Sequence, residues 1–545
     1  MEKRTVLAFA LVAIVWIAWL VFFPAPDQTQ RQERKQQKQE SAQKKVESKT
    51  TPPSQVSIGD TQTNKQEKTI EVSTNKYRVQ LTTKGASIQG LNYKERNIDL
   101  VVTKSSFETS KALDFAIHFN DDEFIQNSDL NQSNWSYSRE QDGGVRFYTT
   151  IFINDNPIRV EKIYRFNDNN YYFTVEYRLH NVGNHDVSFQ NDSLIVSPGD
   201  MIGPNLDFHN TYNNLSSIFY LNGDFDRGGK GGGLFSSDDP IGHETGEVSW
   251  FGIMSRYFLL IMIPEGFTGS GVVYDRRENH GYRTGMYMGM NMLRAGTDIS
   301  RSFRVYVGEK NKDRLAAIGE NLIDAADISK WIEPIRYFVL WCLFTINGYI
   351  GNLGWSLVIF SLLTKIVFTP LTMKSMDSMK RMQQLTPKLN QIKEKYKDKP
   401  DVVQREMMKL YKENKVNPLG GCFPMLLQMP FFFALYSALI NSIDLWDASF
   451  VLWIRDLSMP DTVATIAGFN LNILPLVMTA TSFAQQKMST VDTGPQQKMM
   501  MMMMPVVLLF VFWTMPSGLV LYWTLQNVFQ IVHQLIINKM AKKKT

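Results

Sequence analysis

Lys365 places a full positive charge inside an apolar run, NLGWSLVIFSLLTKIVFTPLT, which is long enough to cross a membrane as a helix. A cation in the hydrocarbon layer costs about 2.5–3.5 kcal/mol on insertion-derived scales, so it normally faces protein or water. At helical spacing Ser361 and Thr364 share the face of the lysine, and their hydroxyls favour a wet, polar cavity around it. Snorkelling of the side chain to the nearer membrane surface is the alternative.

Further polar side chains lie in the apolar runs that follow. They group on single helical faces, and the last run carries most of them. One interpretation is that they only form hydrogen bonds between helices, which contribute about 0.6 kcal/mol each on average. Together with Lys365 they predict a hydrated groove that opens to the cytoplasm and is sealed outward by aromatics and prolines. The set comprises Gln428, Thr479, Ser482, Gln486, Tyr522, Trp523, Gln526, Gln530 and His533.

Methionine marks a second candidate surface. Met373, Met376, Met379 and Met382 recur at every third position of a polar, helix-forming segment. Flexible, polarizable side chains suit contact with apolar segments of varied shape. Ordinary filling of gaps in a core is the alternative.

Few residues of the chain suit covalent or metal chemistry. None of the histidines forms an HExxH motif, and GGKGGG at 228–233 lacks the GK[ST] sequence and helix of a phosphate loop. Two cysteines, Cys342 and Cys422, supply neither a disulfide framework nor a Cys/His zinc cluster. We expect no metal and no cofactor. A net charge of +5 is too small to indicate recognition of a nucleic-acid sequence.

The first half of the chain predicts an exported β-domain on a tether. Lys3 and Arg4 precede an apolar run without a cleavage site, which favours an uncleaved anchor with a cytoplasmic N-terminus. The polar residues 27–69 cannot bury enough surface to fold. Short β-rich runs then predict one large antiparallel sandwich, closed by a helix at 311–327. The runs are TIEVS, YRVQLTT, VRFYTTIFI, IRVEKIYRF, YYFTVEYRL, FLLIMI and RSFRVYV.

The second half of the chain predicts a helical membrane bundle. An aromatic segment interrupted by Glu333, Pro334 and Arg336 favours an interfacial helix. Lysine and arginine concentrate in 373–420 and in 539–545, so the positive-inside rule places both in the cytoplasm. The sequence Met-Pro-Ser-Gly at 515–518 divides the last apolar run into two spans.

The expected fold class is a multi-domain membrane protein. It combines an α-helical transmembrane bundle of six spans, five of which form the core, with a periplasmic antiparallel β-sandwich and a cytoplasmic helical hairpin. Both termini are expected in the cytoplasm. The expected boundaries are 1–26 for the anchor, 27–69 for a disordered linker, 70–328 for the β-sandwich, 329–350 for the interfacial helix, 351–372 for the second span, 373–420 for the hairpin, 421–441 for the third span, 442–468 for a periplasmic loop, 469–486 for the fourth span, 487–498 for a cytoplasmic loop, 499–514 and 518–538 for the last two spans, and 539–545 for the basic tail.

Three motifs carry a resemblance to a known family. They are NPLGGCFPMLLQMPFFFALY at 417–436, the PLT and QLTPKL segments around Pro370 and Pro387, and MPSGLVLYW at 515–523. The chain resembles the YidC family of bacterial membrane-protein insertases in its Gram-negative form, which has six spans and a large periplasmic domain. The similarity follows the order of all segments and is dense from about 354 to 537. It implies a β-supersandwich like that of galactose mutarotases.

The resemblance also implies roles for particular residues. It implies a groove in the inner leaflet where the cation, Lys365, attracts the polar flank of an incoming segment. Lysine stands here where enterobacterial members have arginine, and Ser361 stands at the position of a groove threonine. Tyr522 and Trp523 stand where the family has a tyrosine pair that contacts the substrate. Cys422, Phe423 and Pro424 are also expected to contact the substrate segment. The spacing of methionines, independently of the resemblance, adds Met376, Met379 and Met382 on the cytoplasmic hairpin.

We therefore expect an insertase of the cell inner membrane that inserts and helps to fold transmembrane segments, without ATP and without covalent chemistry. The expected partners are nascent membrane proteins, the ribosome, the Sec translocon, signal-recognition targeting factors and anionic lipids. One alternative is a secondary transporter, although no duplicated halves with paired broken helices are visible. The other is a membrane-tethered, sugar-active periplasmic β-domain protein, for which no pair of catalytic carboxylates can be placed.

Overall fold

The computed structural model describes residues 56–58, 66–101, 113–126, 129–189, 194–204, 215–228, 240–275, 282–319, 321–326, 332–396, 400–414, 423–466, 469–489 and 495–542. The predicted anchor at 1–26, most of the linker at 27–69 and Cys422 lie outside the described residues. The prediction of a disordered linker is wrong at Val56–Ile58, because this segment is a strand that pairs with Ile151–Ile153. The described residues form two compact units. One lies within 1–207, 215–254 and 259–307, and the other lies within 255–258 and 308–545.

The first unit is built mainly from β-strands, with one short helix, α1 (Asp121–Gln126), and a 3-10 turn at Asp129–Asn131. The strands are β1 (Val56–Ile58), β2 (Thr69–Ser73), β3 (Tyr77–Thr82), β4 (Ser87–Tyr93), β5 (Ile98–Asp99), β6 (Ala116–His118), β7 (Ser136–Arg139), β8 (Val145–Ile153), β9 (Asn156–Phe166), β10 (Tyr172–Asn181), β11 (Val187–Ser188), β12 (Ile195–Ser197), β13 (Ser216–Leu221), β14 (Asp224–Arg227), β15 (Ile241–Met254), β16 (Phe258–Glu265), β17 (Gly269–Asp275), β18 (Arg283–Tyr287), β19 (Met292–Leu293) and β20 (Asp298–Glu309).

These strands form a large sheet, a smaller one and a separate pair of β11 and β19. In the described ranges the large sheet has fourteen strands, with the order β1-β8-β9-β10-β20-β16-β15-β17-β18-β12-β6 and with β7, β13 and β14 paired beside this path. The smaller sheet has the order β2-β3-β4-β5. Two side chains of β9 reach the segment between β3 and β4: Lys162 Nζ donates to Gly85 O at 2.7 Å, and Tyr164 OH donates to Ala86 O at 2.6 Å. The two sheets therefore share one core.

Alternating burial explains why the sequence indicated part of this fold. Along β8 every second side chain from Val145 to Ile153 is buried, which is the period-2 pattern of a half-buried strand. All seven predicted runs are confirmed as strands. Other strands were not predicted, and β15 is the longest of them. Its first half, IGHETGE, is polar and largely uncovered, and it is a strand because it pairs with β17, from Ile241 opposite Asp275 to Thr245 opposite Gly271.

A cluster of charged side chains is buried inside the first unit. Arg283 Nε donates to Asp200 Oδ1 at 2.5 Å, and Arg283 Nη2 lies 3.6 Å from Asp114 Oδ2. Lys162 Nζ donates to Asp114 O at 3.1 Å. Burial raises the pKa of Asp114 to about 6, although Arg283 opposes this rise, and burial lowers the pKa of Lys162 to about 7. Burying such charges is costly, so their mutual contacts are needed to keep them inside.

The second unit is helical. Its helices are α2 (Lys312–Ile318), α3 (Glu333–Ile350), α4 (Leu353–Gln384), α5 (Thr386–Lys395), α6 (Pro400–Glu413), α7 (Phe423–Asn441), α8 (Leu474–Ser489), α9 (Pro495–Phe512) and α10 (Ser517–Lys542), with 3-10 turns at Leu322–Ala326 and Ile443–Leu445 and a hairpin of β21 (Thr462–Ile466) and β22 (Phe469–Asn472).

The helices pack around α4 and α10. Helix α4 contacts α3, α7 and α10; α10 also contacts α7 and α8; and α8 contacts α9. Their apolar core includes Phe360, Leu435, Leu439, Met478 and Leu519. Helices α5 and α6 contact each other. They occupy the segment in which a cytoplasmic hairpin was predicted.

One helix of the second unit runs past the span predicted in it, and another is shorter than expected. Helix α4 contains the span predicted at 351–372 and continues beyond it to Gln384, with Pro370 inside it. The hydroxyls of Thr369 and Thr372 donate to the carbonyls of Lys365 and Phe368 in this stretch. The helix expected at 311–327 is instead the short α2, followed by a 3-10 turn. The break falls at Gly319, whose φ of 89° lies in the left-handed region that glycine adopts without strain.

The segment before α8 also differs. The fourth span was expected to begin at 469, but Phe469–Asn472 is a strand and the helix begins at Leu474. The reason is pairing with a neighbouring strand, since Ile466 lies opposite Phe469 and Thr465 opposite Asn470. Apolar composition alone does not distinguish such a strand from the first turn of a span.

In the described ranges, Leu353–Met373 is the one helical stretch that is both long and apolar enough by composition to cross a membrane, and Met503–Phe512 is a shorter apolar helix. The break predicted at 515–518 is confirmed, because α9 ends at Phe512 and α10 begins at Ser517.

Titration of Asp114 should make the stability of the first unit depend on pH. Its folded pKa of about 6 lies above the ordinary 3.8, so folding favours the protonated form. The stabilising contribution is complete below about pH 4 and is lost as the pH rises through 6. Relative to Asp114→Asn, the wild-type chain should lose about 3 kcal/mol between pH 4 and pH 7, measured by denaturant unfolding at each pH. Parallel pH profiles of the two proteins would contradict this.

Candidate functional site

Lys365 is half-buried on α4, and its ammonium group contacts α10. The Nζ atom donates a hydrogen bond to Gln530 Oε1 at 2.6 Å. Among the residues that the structure describes, no carboxylate forms an ion pair with Lys365. The lysine is therefore bound by a neutral amide, and its charge is solvated without being cancelled.

A second contact between the same helices lies one turn away. Gln526 Nε2 donates to Ser361 O at 2.9 Å and to Thr364 Oγ1 at 3.1 Å. Gln526 and Gln530 are four residues apart and therefore share a helical face. The hydroxyl of Ser361 donates to Leu357 O within its own helix and is fully buried. Ser361 therefore contributes its carbonyl to this contact, and its hydroxyl serves its own helix.

The two aromatic residues expected at the substrate position have different surroundings. Tyr522 is buried, and its hydroxyl accepts a hydrogen bond from Gln428 Nε2 of α7 at 2.9 Å. Trp523 lies instead in an aromatic cluster, with ring centroids 5.4 Å from Phe432 and 5.3 Å from Phe512. The two consecutive side chains therefore meet different neighbours: Tyr522 bonds to a polar side chain of α7, whereas Trp523 packs against aromatic rings of α7 and α9.

Ser482 belongs to a separate network between α8 and α10, whereas Thr479 bonds only within α8 among the contacts described. Ser482 Oγ accepts a hydrogen bond from Asn527 Nδ2 at 2.8 Å. Thr479 Oγ1 donates to Pro475 O within its own helix. Asn527 was not among the predicted site residues, although an asparagine in the middle of an apolar helix was a signal that could have indicated it.

Several predicted positions have no described side chain. Phe423 and Pro424 open α7, and Met376, Met379 and Met382 lie on α4, but the side chains at these positions are outside the described residues, as is Cys422. Their expected contacts with a substrate segment remain predictions.

A buried arginine fixes the loop between α7 and α8. Arg256 belongs to the second unit, and its guanidinium donates to three backbone carbonyls: Ile440 O at 3.0 Å, Leu439 O at 3.3 Å and Ser458 O at 2.7 Å. The first two carbonyls lie in the last turn of α7, where no intrahelical donor is available. A cation is also favoured there by the negative end of the helix dipole.

The start of α10 binds the same loop. The backbone N–H groups of Ser517 and Gly518 donate to Met459 O at 2.7 Å and to Leu457 O at 2.9 Å. These carbonyls flank Ser458, which accepts from Arg256. The arginine and the first turn of α10 therefore hold one short segment from two sides.

The class of protein follows from these features together with the family comparisons. Residues 345–544 match the family model described as 60Kd inner membrane protein, and residues 69–342 match the model described as YidC periplasmic domain. The chain is thus an inner-membrane protein with a β-rich periplasmic domain.

Relatives that match over most of their length define the family more closely. The chain is similar to the membrane protein insertase YidC of Leptospira interrogans, with 33% identity over 71% of this chain and 69% of the relative. It is also similar to the membrane protein insertase YidC of Syntrophus aciditrophicus, with 30% identity over 99% of this chain and 100% of the relative. A solved structure, the active YidC insertase with its first transmembrane domain resolved, aligns over 88% of this chain and 94% of that one with 15% identity and a TM-score of 0.35.

The chain belongs to the YidC family of membrane protein insertases. It functions as a membrane protein insertase, and its substrates are nascent membrane proteins. This function takes the place of the transporter and the sugar-active protein that the sequence had left open.

Arg256→Ala should destabilise the second unit. The substitution leaves three buried carbonyls without their donor, and each unsatisfied buried group costs about 1–3 kcal/mol. We expect a loss of at least about 3 kcal/mol, seen as a lower midpoint of thermal unfolding for the full chain in detergent.

Arg304→Ala is the matched control, because Arg304 is partly exposed and pairs with Glu265 at 3.0 Å. It should cost less than about 1 kcal/mol. Equal effects of the two substitutions would mean that Arg256 does not hold the loop.

Proposed function

We propose that Lys365 receives the acidic or polar flank of a client's hydrophobic segment in a hydrated groove of the inner leaflet, formed by α4, α7 and α10. The observation that carries this proposal is the hydrogen bond from Lys365 to Gln530. The ammonium group is held by a neutral amide, and an arriving carboxylate therefore meets a positive charge with no acidic partner among the described residues.

The depth of Lys365 suits this role. It precedes Lys374, the next charged residue on α4, by nine positions, which corresponds to about 14 Å at the helical rise of 1.5 Å per residue. Two opposite charges 4 Å apart at an effective dielectric constant near 20 attract each other by about 4 kcal/mol. This attraction can offset part of the cost of bringing a polar flank below the membrane surface.

Release of the client follows from the apolar part of its segment. Moving apolar surface from water into lipid gains about 25 cal/mol per Å², so a span of ordinary length provides the net driving force. The lysine lowers the barrier, and burial of the span makes the process downhill. Insertion on this basis requires neither ATP nor a covalent step.

The polar residues near Lys365 have two proposed tasks. Gln526, Thr364 and Gln530 join α4 to α10 and keep polar atoms beside the lysine, and Gln428 with Tyr522 extends this polar wall to α7. The contacts of Asn527 with Ser482 hold α8 in place against α10.

The proposed topology has six spans, with both termini in the cytoplasm. The segment 1–26 and α4, α7, α8, α9 and α10 are the spans. At 1.5 Å per residue α7, with 19 residues, and α9, with 18, extend about 27–28 Å, close to the hydrocarbon thickness of a bilayer. Helix α8, with 16 residues, is shorter, so the bilayer would thin locally around it or its flanking residues would snorkel.

Partners on the cytoplasmic side are proposed from charge. The segment that contains α5 and α6 and the tail at 539–545 are rich in lysine and arginine. Such surfaces suit the ribosome, signal-recognition targeting factors and anionic lipids. The Sec translocon is proposed as a partner of the membrane bundle, and residues 422–424 and the methionines on α4 as contacts of the client.

The charge of Lys365 can be tested by substitution. Lys365→Arg should keep most insertion activity and Lys365→Glu should reduce it at least about tenfold, because the latter repels an acidic flank. The measurement is protease protection of a client with an acidic flank, inserted into vesicles that contain the purified variant. Equal activity of the two variants would remove the electrostatic step.

Gln530 provides a matched test that leaves the lysine in place. Gln530→Glu puts a carboxylate beside Lys365 and should impair insertion of the acidic client, since the charge is then cancelled within the chain. Gln530→Leu removes the hydrogen bond but keeps the charge and should retain most activity. A client with a neutral flank should respond less to either change.

A further inference from the structure

The hairpin of β21 and β22 has one apolar and one polar face. Opposed residues of an antiparallel pair project to the same side, so Ile466 and Phe469 share one face while Thr465 and Asn470 share the other. The polar face is tied by a hydrogen bond from Thr465 Oγ1 to Asn470 Oδ1 at 2.7 Å.

The apolar face is uncovered in the second unit. Ile466 is 65% exposed and Phe469 is 60% exposed, whereas apolar side chains on strands of the first unit, such as Val145 and Phe147 of β8, are buried. The sequence from 462 to 472, TVATIAGFNLN, contains no charged residue. Exposed apolar side chains on a charge-free hairpin indicate contact with an apolar phase and not with water.

The hairpin is fixed to the ends of two helices. Trp513, which directly follows α9, packs its ring 5.3 Å from that of Phe469 and donates from Nε1 to Asn470 O at 3.1 Å. Asn472 Nδ2 donates to Trp513 O at 2.5 Å. Asp461 Oδ2 accepts from Leu474 N, at the first residue of α8. A two-stranded hairpin is marginal by itself, so these contacts hold it at one level of the bundle.

The helices beside the hairpin present the same kind of surface. Leu476 and Val477 near the start of α8, and Phe510 and Val511 near the end of α9, are exposed. In a protein of the inner membrane, exposed apolar side chains on helices face lipid. The apolar face of the hairpin adjoins this surface through Trp513, a residue type that prefers the level of the lipid headgroups.

We propose that this hairpin lies in the membrane–water interface, with Ile466 and Phe469 among the acyl chains of lipid and Thr465 and Asn470 toward water. Phospholipid therefore covers the apolar face of the hairpin. By the proposed topology, this interface is that of the outer leaflet. Contact of the hairpin with lipid does not depend on that topology. The hairpin anchors the start of α8 and the end of α9 at a fixed depth in the membrane.

The test uses four single-cysteine variants in a full-length chain with Cys342→Ser and Cys422→Ser. Ile466→Cys and Phe469→Cys report the apolar face, and Thr465→Cys and Asn470→Cys are the matched controls on the same two strands. Each carries a nitroxide label, and the protein is reconstituted in vesicles of phosphatidylcholine and phosphatidylglycerol. Collision with oxygen, which concentrates in lipid, is compared with collision with a water-soluble nickel chelate.

At positions 466 and 469 we expect oxygen collisions to exceed those of the chelate several-fold, with the reverse at 465 and 470. Similar values at all four positions would overturn the proposal. So would protection of 466 and 469 from both reagents, which would indicate a second copy or another protein as the occupant. The midpoint of thermal unfolding of each variant in detergent, compared with that of the Cys342→Ser, Cys422→Ser parent, establishes that the chain is folded. The effect of Lys365→Glu on insertion is measured separately, so failure of the proposed function does not change these readings.

Discussion

The membrane bundle depends on the way in which one positive charge is kept inside it. Lys365 lies in the one helical stretch of the described residues that is both long and apolar enough to cross a membrane, and it is bound by the amide of Gln530. An amide oxygen solvates an ammonium group without cancelling its charge, so the lysine is stable enough to stay and still able to attract an anion. In the proposed mechanism, a carboxylate in place of this amide would pair with Lys365 and weaken the attraction of the lysine for a client.

Helix α10 is the element that coordinates its neighbours around this charge. It reaches α4 through Gln526 and Gln530, α7 through Tyr522 and α8 through Asn527. Its first turn also binds the loop that Arg256 holds. The polar contacts are spread over several turns, so they fix the rotation and the depth of α10 better than apolar packing alone could.

Local patterns predicted much of this fold. Short β-rich runs separated by turn residues indicated seven strands, and the break at 515–518 separated α9 from α10. The polar first half of β15 was missed because its strand conformation comes from pairing with β17. The candidate site was predicted in its charge and in most of its polar residues. The division into one network between α4 and α10 and another between α8 and α10 was not predicted, and Asn527 was missed. The reason is that helical spacing does not reveal which neighbouring helix a polar face contacts.

The sequence by itself determined the segregation of apolar and charged segments, the presence of a cation within one span and the family to which the chain belongs. Only the tertiary structure decided that Lys365 binds Gln530, that Trp523 packs among aromatic rings, and that Thr462–Ile466 pairs with Phe469–Asn472. The physical reason is the sequence separation over which each effect acts. Periodicity and propensity act over a few residues, whereas these contacts join elements distant in the chain, and their partners are set by how the helices and strands pack.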